Sequence, residues 1–414
     1  MRSNTSNKHD IIRLLSIGAP LVYFAGYLTR KDYSIVMEAI IQSERLSKNV
    51  AGLVETLSII SYGSGQIVSG FFGDRIKAHK MVFCGLFVSI IINFMMPAAK
   101  PDLRPFLWFV NGFAQSMLWP PMLKILSTHM DRKDYENAAV NMNIAGIFAT
   151  VLIYLSSSLL WIAVFQNWKL TFYANGTVAF LILLFWSYCC KKIEEADVIS
   201  SGDPQIVTEQ KNEDLKLKPF LLKSGFLLIA LAIILQGMLR DGISDWLPSF
   251  MANTFSLTSD QAILKSVLLP LIGILSLRFT GFLNRRFVKE ETKTAALFFA
   301  AAAVICLLLN LSYAHNEYLT VLLSSLIVGA MHAVNLFLVS ILPSRFARYG
   351  MVSTVSGIVN SLTYVGSAAA IYGFGLLSDR FGWRACTFSW TLIAVFGSLS
   401  CLLAVSSWKR FKEH

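Results

Sequence analysis

Long apolar runs follow one another along this chain, and short polar stretches separate them. A helix of about 20 apolar residues crosses the hydrocarbon core of a bilayer, so runs of this length indicate membrane-spanning helices. The pattern predicts twelve spans, near residues 11–41, 50–73, 81–99, 105–128, 137–165, 169–189, 221–250, 259–282, 293–313, 318–343, 352–377 and 385–407. The expected fold is an all-α membrane protein with twelve transmembrane helices.

The longest polar interruption follows the sixth span. Residues 191–219 are rich in charged and small polar residues, which is typical of a linker. The expected organisation is an N-terminal six-helix bundle at residues 1–190, a cytoplasmic linker at 191–219 and a C-terminal six-helix bundle at 220–414.

Two features recur at nearly the same spacing in the two halves. Arg30 in span 1 and Arg240 in span 7 lie 210 residues apart. Gly70 and Gly281, which end spans 2 and 8, lie 211 residues apart. A repeat of this kind predicts two pseudo-symmetric bundles related by an axis along the membrane normal, with a substrate bound between them near the middle of the membrane.

Composition agrees with a membrane protein and changes how the net charge of +11 is interpreted. Hydrophobic residues make up 55% of the chain and charged residues 15%, whereas soluble domains carry about 25% charged residues. With the N-terminus inside, 23 Lys and Arg residues fall in cytoplasmic segments and 7 in outer loops. The basic residues therefore place both termini and the linker in the cytoplasm, and we expect no nucleic-acid partner.

The sequence offers little support for chemistry other than transport. The six cysteines lie in or at the ends of apolar runs without a CxxC spacing, which argues against metal or redox sites. Nucleotide-binding loops, zinc-ligand spacings and nucleophile elbows are missing as well. We expect no enzyme activity, no cofactor, no metal and no ATP-driven step.

The informative basic residues are those inside the spans. A charged side chain at the middle of a bilayer costs at least about 2.5–3.5 kcal/mol, so it faces a cavity or a partner. Arg30 and Arg240 carry planar guanidinium groups, which bind phosphate or carboxylate through two hydrogen bonds. Two such groups on pseudo-symmetric helices would form an anion site.

The alternative is structural ion pairs, of Arg30 with Asp32 or Glu55 and of Arg240 with Asp241 or Asp245. Adjacent helical residues point to different faces, which weakens the Arg240–Asp241 version.

Several stretches resemble a known family, the organophosphate:phosphate antiporters, which include bacterial glycerol-3-phosphate and hexose-phosphate transporters. They are YLTRKDYSIVM at residues 27–37, NGFAQSMLWPP at 111–121, RDGISDW at 240–246, and Gly357, Tyr364 and Gly366 in span 11. The resemblance implies the major facilitator fold. It also implies that Arg30 and Arg240 bind the substrate phosphate.

The chain departs from this family at two positions. Bacterial members commonly place a Lys in span 2 where Gln66 stands, and glycerol-3-phosphate transporters place a His in span 5 where Gly146 stands. These changes put the family's usual substrates in doubt. Lys265 in span 8 would supply a compensating cation, or else extend its amine toward the outer interface.

Other polar residues inside the spans are further candidates. Glu55 and His332 are candidates for proton coupling, since burial shifts the pKa of such groups. Each has a structural alternative, a cation partner for Glu55 and a helix-to-helix hydrogen bond for His332. The remaining candidate substrate ligands are Tyr27, Lys31, Gln66, Gln115, Trp119, Asn143, His332, Asn335 and Tyr364. For Trp119 the alternative is simple packing.

The segment GFFGDR at residues 70–75 resembles the loop 2–3 signature of the major facilitator superfamily. The resemblance implies that Asp74 and Arg75 lie at helix ends. There they would make charge and dipole contacts that hold the cytoplasmic side shut, which is a gating role.

Three functions remain open from the sequence. The first is exchange of an organic phosphate for inorganic phosphate by alternating access, with the anion held by Arg30 and Arg240. The second is proton-coupled symport of an organic anion such as a sugar acid. The third is a non-transporting sugar-phosphate receptor. In each case we expect a monomer in the inner membrane of a bacterium, with the lipid bilayer and a small anion as its partners.

Overall fold

The computed structural model describes residues 2–46, 48–162, 164–201, 225–257, 259–286 and 290–413. Within these ranges the chain is helical and contains no strand. The α-helices are α1 Arg2–Glu44, α2 Lys48–Gly73, α3 Ala78–Met95, α4 Arg104–Ser116, α5 Trp119–His129, α6 Arg132–Ser156, α7 Lys169–Ser201, α8 Phe226–Phe255, α9 Ser259–Ser266, α10 Leu268–Arg286, α11 Glu291–Leu311, α12 Glu317–Asn335 and α13 Val352–Glu413. Short 3₁₀ segments occupy Met96–Ala98, Pro101–Leu103 and Leu342–Tyr349, and π-helical turns occupy Ser157–Ile162 and Leu336–Ile341.

The twelve predicted spans coincide with helices or with pairs of consecutive helices. In the described chain, eight helical stretches are long and apolar enough to cross a membrane, and the last, Val352–Phe411, contains two predicted spans. The other three predicted spans lie on α2, on α4 with α5, and on α9 with α10. The predicted all-α membrane fold is confirmed.

Helix breaks occur where the sequence removes a hydrogen-bond donor or admits a left-handed conformation. The fourth span splits after Ser116, and α5 restarts at Trp119 with two prolines in its first turn, which have no N–H to continue the ladder. The final long helix changes direction at Gly382, whose φ of 77° and ψ of 171° suit glycine alone. This break separates the two last predicted spans.

Helix α7 extends further than its apolar run. It continues through Ser201, so the predicted linker begins in helix rather than in an irregular segment. Ion pairs support this extension: Lys192 Nζ lies 2.7 Å from Glu195 Oε2, and Glu194 Oε1 lies 3.1 Å from Lys77 Nζ and 2.9 Å from Lys80 Nζ. Residues 202–224, which hold the rest of the predicted linker and the start of the predicted seventh span, lie outside the described residues.

The chain divides into two compact units. Unit 1 comprises Met1–Lys211 together with Phe346–Ile358, and unit 2 comprises Asn212–Arg345 together with Val359–His414. In unit 1, Leu15, Leu86 and Trp186 are wholly buried in one core cluster. In unit 2, the rings of Phe250 and Trp390 meet at right angles with centroids 5.9 Å apart.

Both units present large apolar side chains on their outer surfaces. Exposed examples include Leu181 and Phe106 in unit 1 and Leu403 and Leu311 in unit 2. Apolar surfaces this extensive suit a lipid environment rather than water.

Small residues allow two helices of unit 1 to approach closely. A Cβ atom on Gly112 of α4 would lie 2.2 Å from Ser61 Oγ of α2, and one on Gly65 would lie 2.6 Å from Ser116 Oγ. Close packing of small residues is how helices associate inside membranes, where apolar surface alone gives no driving force. It fixes α4, which carries part of the candidate site described next.

Candidate functional site

Arg30 lies near the middle of α1 in unit 1, between two aromatic rings. Its guanidinium carbon lies 4.3 Å from the centroid of the Tyr27 ring and 4.5 Å from that of the Tyr62 ring. The electron-rich faces of the rings stabilise the cation in partly desolvated surroundings. Tyr27 was a predicted ligand, whereas Tyr62 was missed because its ring comes from another helix.

Buried amides hold the backbone next to Arg30. The carbonyl oxygen of Thr29 accepts hydrogen bonds from Asn93 Nδ2 at 3.1 Å and Asn111 Nδ2 at 2.9 Å. Gln115 Nε2 donates to Thr29 Oγ1 at 2.8 Å and to Ser89 Oγ at 3.1 Å. Because buried hydrogen bonds of this kind are costly to break, α3 and α4 fix the position of Arg30 along α1.

A fourth amide extends this network to α7. Asn175 Nδ2 donates to the carbonyl oxygen of Leu28 at 3.3 Å. Of the four amides, only Gln115 was predicted as a site residue. The other three are uncharged polar side chains inside apolar spans. That feature could have marked them in the sequence, but it was not used.

The acidic residues beside Arg30 have separate partners. Glu55 Oε2 accepts a hydrogen bond from Trp108 Nε1 at 3.3 Å, and the positive charges of Lys31 and Arg30 both act on its carboxylate. Asp32, a predicted alternative partner of Arg30, is wholly buried, and its Oδ1 accepts from the backbone N–H of Tyr33 at 2.9 Å.

Two predicted ligands of unit 1 are buried with unused hydrogen-bonding capacity. Gln66 is wholly buried, and its amide nitrogen and oxygen have no hydrogen-bond partner within the described chain. Trp119 packs against the Tyr23 ring at a centroid distance of 4.8 Å, and its indole N–H has no partner among the described residues. A buried polar group left unsatisfied costs about 1–3 kcal/mol, so both residues stay candidates for polar ligand contacts. Asn143, by contrast, donates to the Ala139 carbonyl of its own helix at 2.8 Å.

Unit 2 contains a second cluster around Arg240 of α8. Arg240 Nε lies 2.6 Å from Asp241 Oδ1, and Nη2 lies 2.8 Å from Asp241 Oδ2, so the guanidinium binds this carboxylate through two bonds. Its Nη1 donates to Asn335 Oδ1 of α12 at 2.9 Å. The prediction that these neighbours face apart is wrong, because the long arginine side chain reaches around the helix to its neighbour.

Helix α13 completes this cluster from the other side. The Ser367 hydroxyl donates to Asp241 Oδ2. The two backbones are close enough for this contact because glycines meet between them. A Cβ atom on Gly237 would lie 2.2 Å from the Thr363 carbonyl oxygen, and one on Gly366 would lie 2.0 Å from that of Ile234.

The predicted residues Arg240, Asn335 and His332 of unit 2 come together here. The charges of Arg240 and Asp241 both act on His332, which lies one turn from Asn335 on α12. Tyr364, another predicted ligand, is half-buried on α13. Lys265 is placed differently, since its Nζ lies 3.1 Å from Glu317 Oε1 and 4.1 Å from the centroid of the Tyr318 ring. Neither of these contacts of Lys265 was predicted from the sequence.

Asp74 follows the end of α2 and caps the first turn of α13 within unit 1. Its Oδ1 accepts from the backbone N–H of Ser353 at 2.9 Å, and its Oδ2 accepts from that of Thr354 at 2.6 Å. A carboxylate is favoured at a helix N-terminus, where unpaired N–H groups and the helix dipole meet it. Burial raises the pKa of Asp74 above its ordinary value, and the N–H donors oppose that change. Arg75 is exposed in the turn after α2, and its guanidinium lies on the ring of Phe71 of that helix, 3.3 Å from the centroid.

A model of the family described as the Major Facilitator Superfamily matches residues 19–371. The chain belongs to this superfamily. The glycerol-3-phosphate transporter of Bacillus subtilis (strain 168) is 27% identical to it over 401 residues, which cover 89% of this chain and 86% of that protein. The membrane sensor protein UhpC of Escherichia coli (strain K12) is 20% identical over 409 residues, 96% of this chain and 91% of the sensor.

Solved structures share the fold of this superfamily member. The proton:xylose symporter XylE, bound to 6-bromo-6-deoxy-D-glucose, superimposes with a TM-score of 0.72 at 15% identity, over 99% of this chain and 96% of the symporter. The predicted family resemblance and the major facilitator fold are confirmed. The prediction that the chain is no enzyme is also confirmed, because its relatives are transporters and a membrane sensor.

Gly146 of α6 lies against the ring of Tyr27. A Cβ atom on Gly146 would lie 2.9 Å from Tyr27 Cε2, so any larger residue displaces the ring that lies beside Arg30. The absence of a side chain in α6 thus helps to hold Tyr27 where it contacts Arg30.

If Arg30 binds a phosphate, as is proposed below, replacing Gly146 by alanine should weaken apparent phosphate affinity by about two- to fivefold, because a displaced ring loses about 0.5–1 kcal/mol of cation–π stabilisation. Concentration-dependent phosphate uptake measures the change. Gly176→Ala is the matched control, since its Cβ would lie 3.2 Å from the ring of Phe94. An equal loss in both variants would mean that tight packing in general, not the Tyr27 ring, sets affinity.

Proposed function

We propose that this chain is a secondary active transporter that exchanges an organic phosphate for inorganic phosphate by alternating access. The observation that carries the proposal is Arg30, a cation inside a membrane-spanning helix, held between two tyrosines and fixed by a buried amide network. Such placement is costly unless the charge faces a cavity, a partner or a ligand. The Bacillus relative is a glycerol-3-phosphate transporter, which supports a phosphorylated substrate.

The role of the two arginines follows from their chemistry. Arg30 in unit 1 and Arg240 in unit 2 would each supply a guanidinium to the anion, which offers several oxygens to their planar donor groups. A carrier without bound anion keeps the positive charge of Arg30 inside the membrane, which opposes its reorientation. Return of the carrier with inorganic phosphate removes that obstacle, and this accounts for exchange. The same proposal places the chain in the inner membrane of a bacterium, as a monomer with both termini in the cytoplasm, and assigns gating to Asp74.

Counterflow in proteoliposomes tests the exchange. Vesicles containing the purified protein are loaded with unlabelled phosphate, and entry of labelled phosphate is followed. We expect rapid entry that Arg30→Ala and Arg240→Ala each reduce to the level of protein-free vesicles. Arg278→Ala is the matched control, because Arg278 is an exposed arginine within α10. Wild-type protein that is folded yet gives no counterflow would contradict the proposal.

Two observations favour competing functions. Glu55 is a partly buried carboxyl group within α2, and such a group would carry a proton in symport of an organic anion. Uptake driven by a pH gradient with no anion inside, and lost in Glu55→Gln, would establish that mechanism. The relative UhpC is a membrane sensor, which favours a receptor. A sugar phosphate that binds but never accumulates would identify that function.

A further inference from the structure

The guanidinium of Arg240 holds an internal anion. Asp241 presents two carboxylate oxygens to Nε and Nη2 at 2.6 and 2.8 Å, which is the bidentate geometry that a phosphate or carboxylate ligand adopts with arginine. The relative exposure of the two side chains is 15% for Arg240 and 25% for Asp241, so the pair is largely desolvated but can still be reached. A ligand oxygen therefore meets an arginine whose Nε and Nη2 already donate to a carboxylate.

We propose that Asp241 is a positioning residue that stands in for the substrate at Arg240, so that the transported anion binds by displacing its carboxylate. This inference rests on the proposed function, because it requires that Arg240 bind the transported anion. A tethered carboxylate competes at high effective concentration. The apparent affinity for substrate is lowered by the fraction of carriers in which Arg240 is still engaged.

The surroundings of Asp241 provide for its displacement. The Ser367 hydroxyl of α13 already donates to Oδ2, so a displaced carboxylate keeps one hydrogen bond. Asn335 of α12 holds Nη1 at 2.9 Å and keeps the guanidinium oriented when Asp241 leaves. The charged and titratable groups known to act here are Arg240 and Asp241 on α8 and His332 on α12. The exchange of partners therefore leaves neither Arg240 nor Asp241 without a hydrogen bond.

The occupation of Arg240 by the Asp241 carboxylate also has a consequence for exchange. With Asp241 on its guanidinium, Arg240 contributes little net charge to a carrier that has no substrate. Such a carrier can reorient at some rate, which appears as slow net efflux into a medium without a counter-anion. Removing the carboxylate exposes the cation and should suppress that efflux while exchange continues.

The test is binding of labelled inorganic phosphate to the purified full chain, together with phosphate efflux from proteoliposomes. Asp241→Asn should bind phosphate about tenfold more tightly than wild type. Its net efflux into phosphate-free buffer should fall relative to its exchange. Asp241→Glu, which keeps a carboxylate, should restore affinity toward that of wild type. Asp245→Asn, a loss of the same charge at an exposed position of the same helix, should change affinity less than threefold.

The outcomes distinguish failure of the inference about Asp241 from failure of the proposed function. Unchanged or weaker phosphate binding by a folded Asp241→Asn protein, as judged by an unaltered elution profile and melting temperature, would overturn the inference. If that variant does not fold, Asp241→Ser removes the same carboxylate and carries the same expectation. Wild-type protein with neither phosphate binding nor counterflow would instead mean that the proposed function fails, and the inference with it. Equal gains from Asp241→Asn and Asp245→Asn would reduce the effect to general electrostatics and would also contradict it.

Discussion

Phosphate exchange by the Arg30→Lys variant should fall below about one-tenth of the wild-type rate, although lysine keeps the charge. Lysine is a compact point charge that cannot form the parallel two-bond contact of a guanidinium with phosphate. It also loses the flat surface that lies on the Tyr27 and Tyr62 rings at 4.3 and 4.5 Å. Together these losses amount to about 2–3 kcal/mol, which corresponds to roughly 30- to 150-fold in affinity.

Initial rates of labelled phosphate uptake into phosphate-loaded vesicles, normalised to reconstituted protein, check this expectation. Arg278→Lys is the control for a change of the same kind at an exposed arginine of α10. Full activity of Arg30→Lys would show that only charge matters at this position. The anion would then be bound without the two-bond geometry that we assign to Arg30.

The second large effect is expected for Asp74→Ala, which should lower the exchange rate by about thirtyfold. The substitution leaves the N–H groups of Ser353 and Thr354 without the carboxylate that accepts from them at 2.9 and 2.6 Å. Loss of a helix cap costs up to about 2 kcal/mol, and 1.4 kcal/mol corresponds to a factor of ten. A conformation that depends on this contact becomes correspondingly less populated, so the transport cycle slows.

Arg75, the other member of the predicted gating pair, should behave differently from Asp74. Arg75 is exposed and its guanidinium lies on the ring of Phe71, so Arg75→Ala should retain at least about half of the wild-type rate. Exchange rates and substrate affinities of both variants, measured in the same vesicles, give the comparison. If Arg75→Ala is as impaired as Asp74→Ala, the capping contact is not what limits the cycle.

The features that sequence predicted well are those that a single segment determines. Span length and the apolar character of the runs placed the twelve spans, whereas the binding role assigned to Arg30 and Arg240 stays a prediction. Span length and apolar character follow from the local chemistry of one stretch of chain.

The features that sequence missed depend on which helices pack together and on how far side chains reach. Asn93, Asn111 and Asn175 lie on three different helices, and only the fold brings them to the carbonyls of α1. The ion pair of Lys265 with Glu317 joins α9 to α12. The Arg240–Asp241 pair was misjudged because a helical-face rule describes Cβ directions, whereas the guanidinium lies several bonds further out.

The membership of residues 346–358 in unit 1 has a consequence for biosynthesis. Gly70 and Gly357 lie so close that a Cβ atom on Gly70 would be 3.0 Å from Gly357 Cα, although 287 positions of chain separate them. A ribosome must therefore translate most of the protein before the end of α2 gains the segment that covers it. Until then Asp74 has no helix N-terminus to cap. A contact between such distant segments forms late, so the end of α2 stays uncovered during most of the synthesis of the chain.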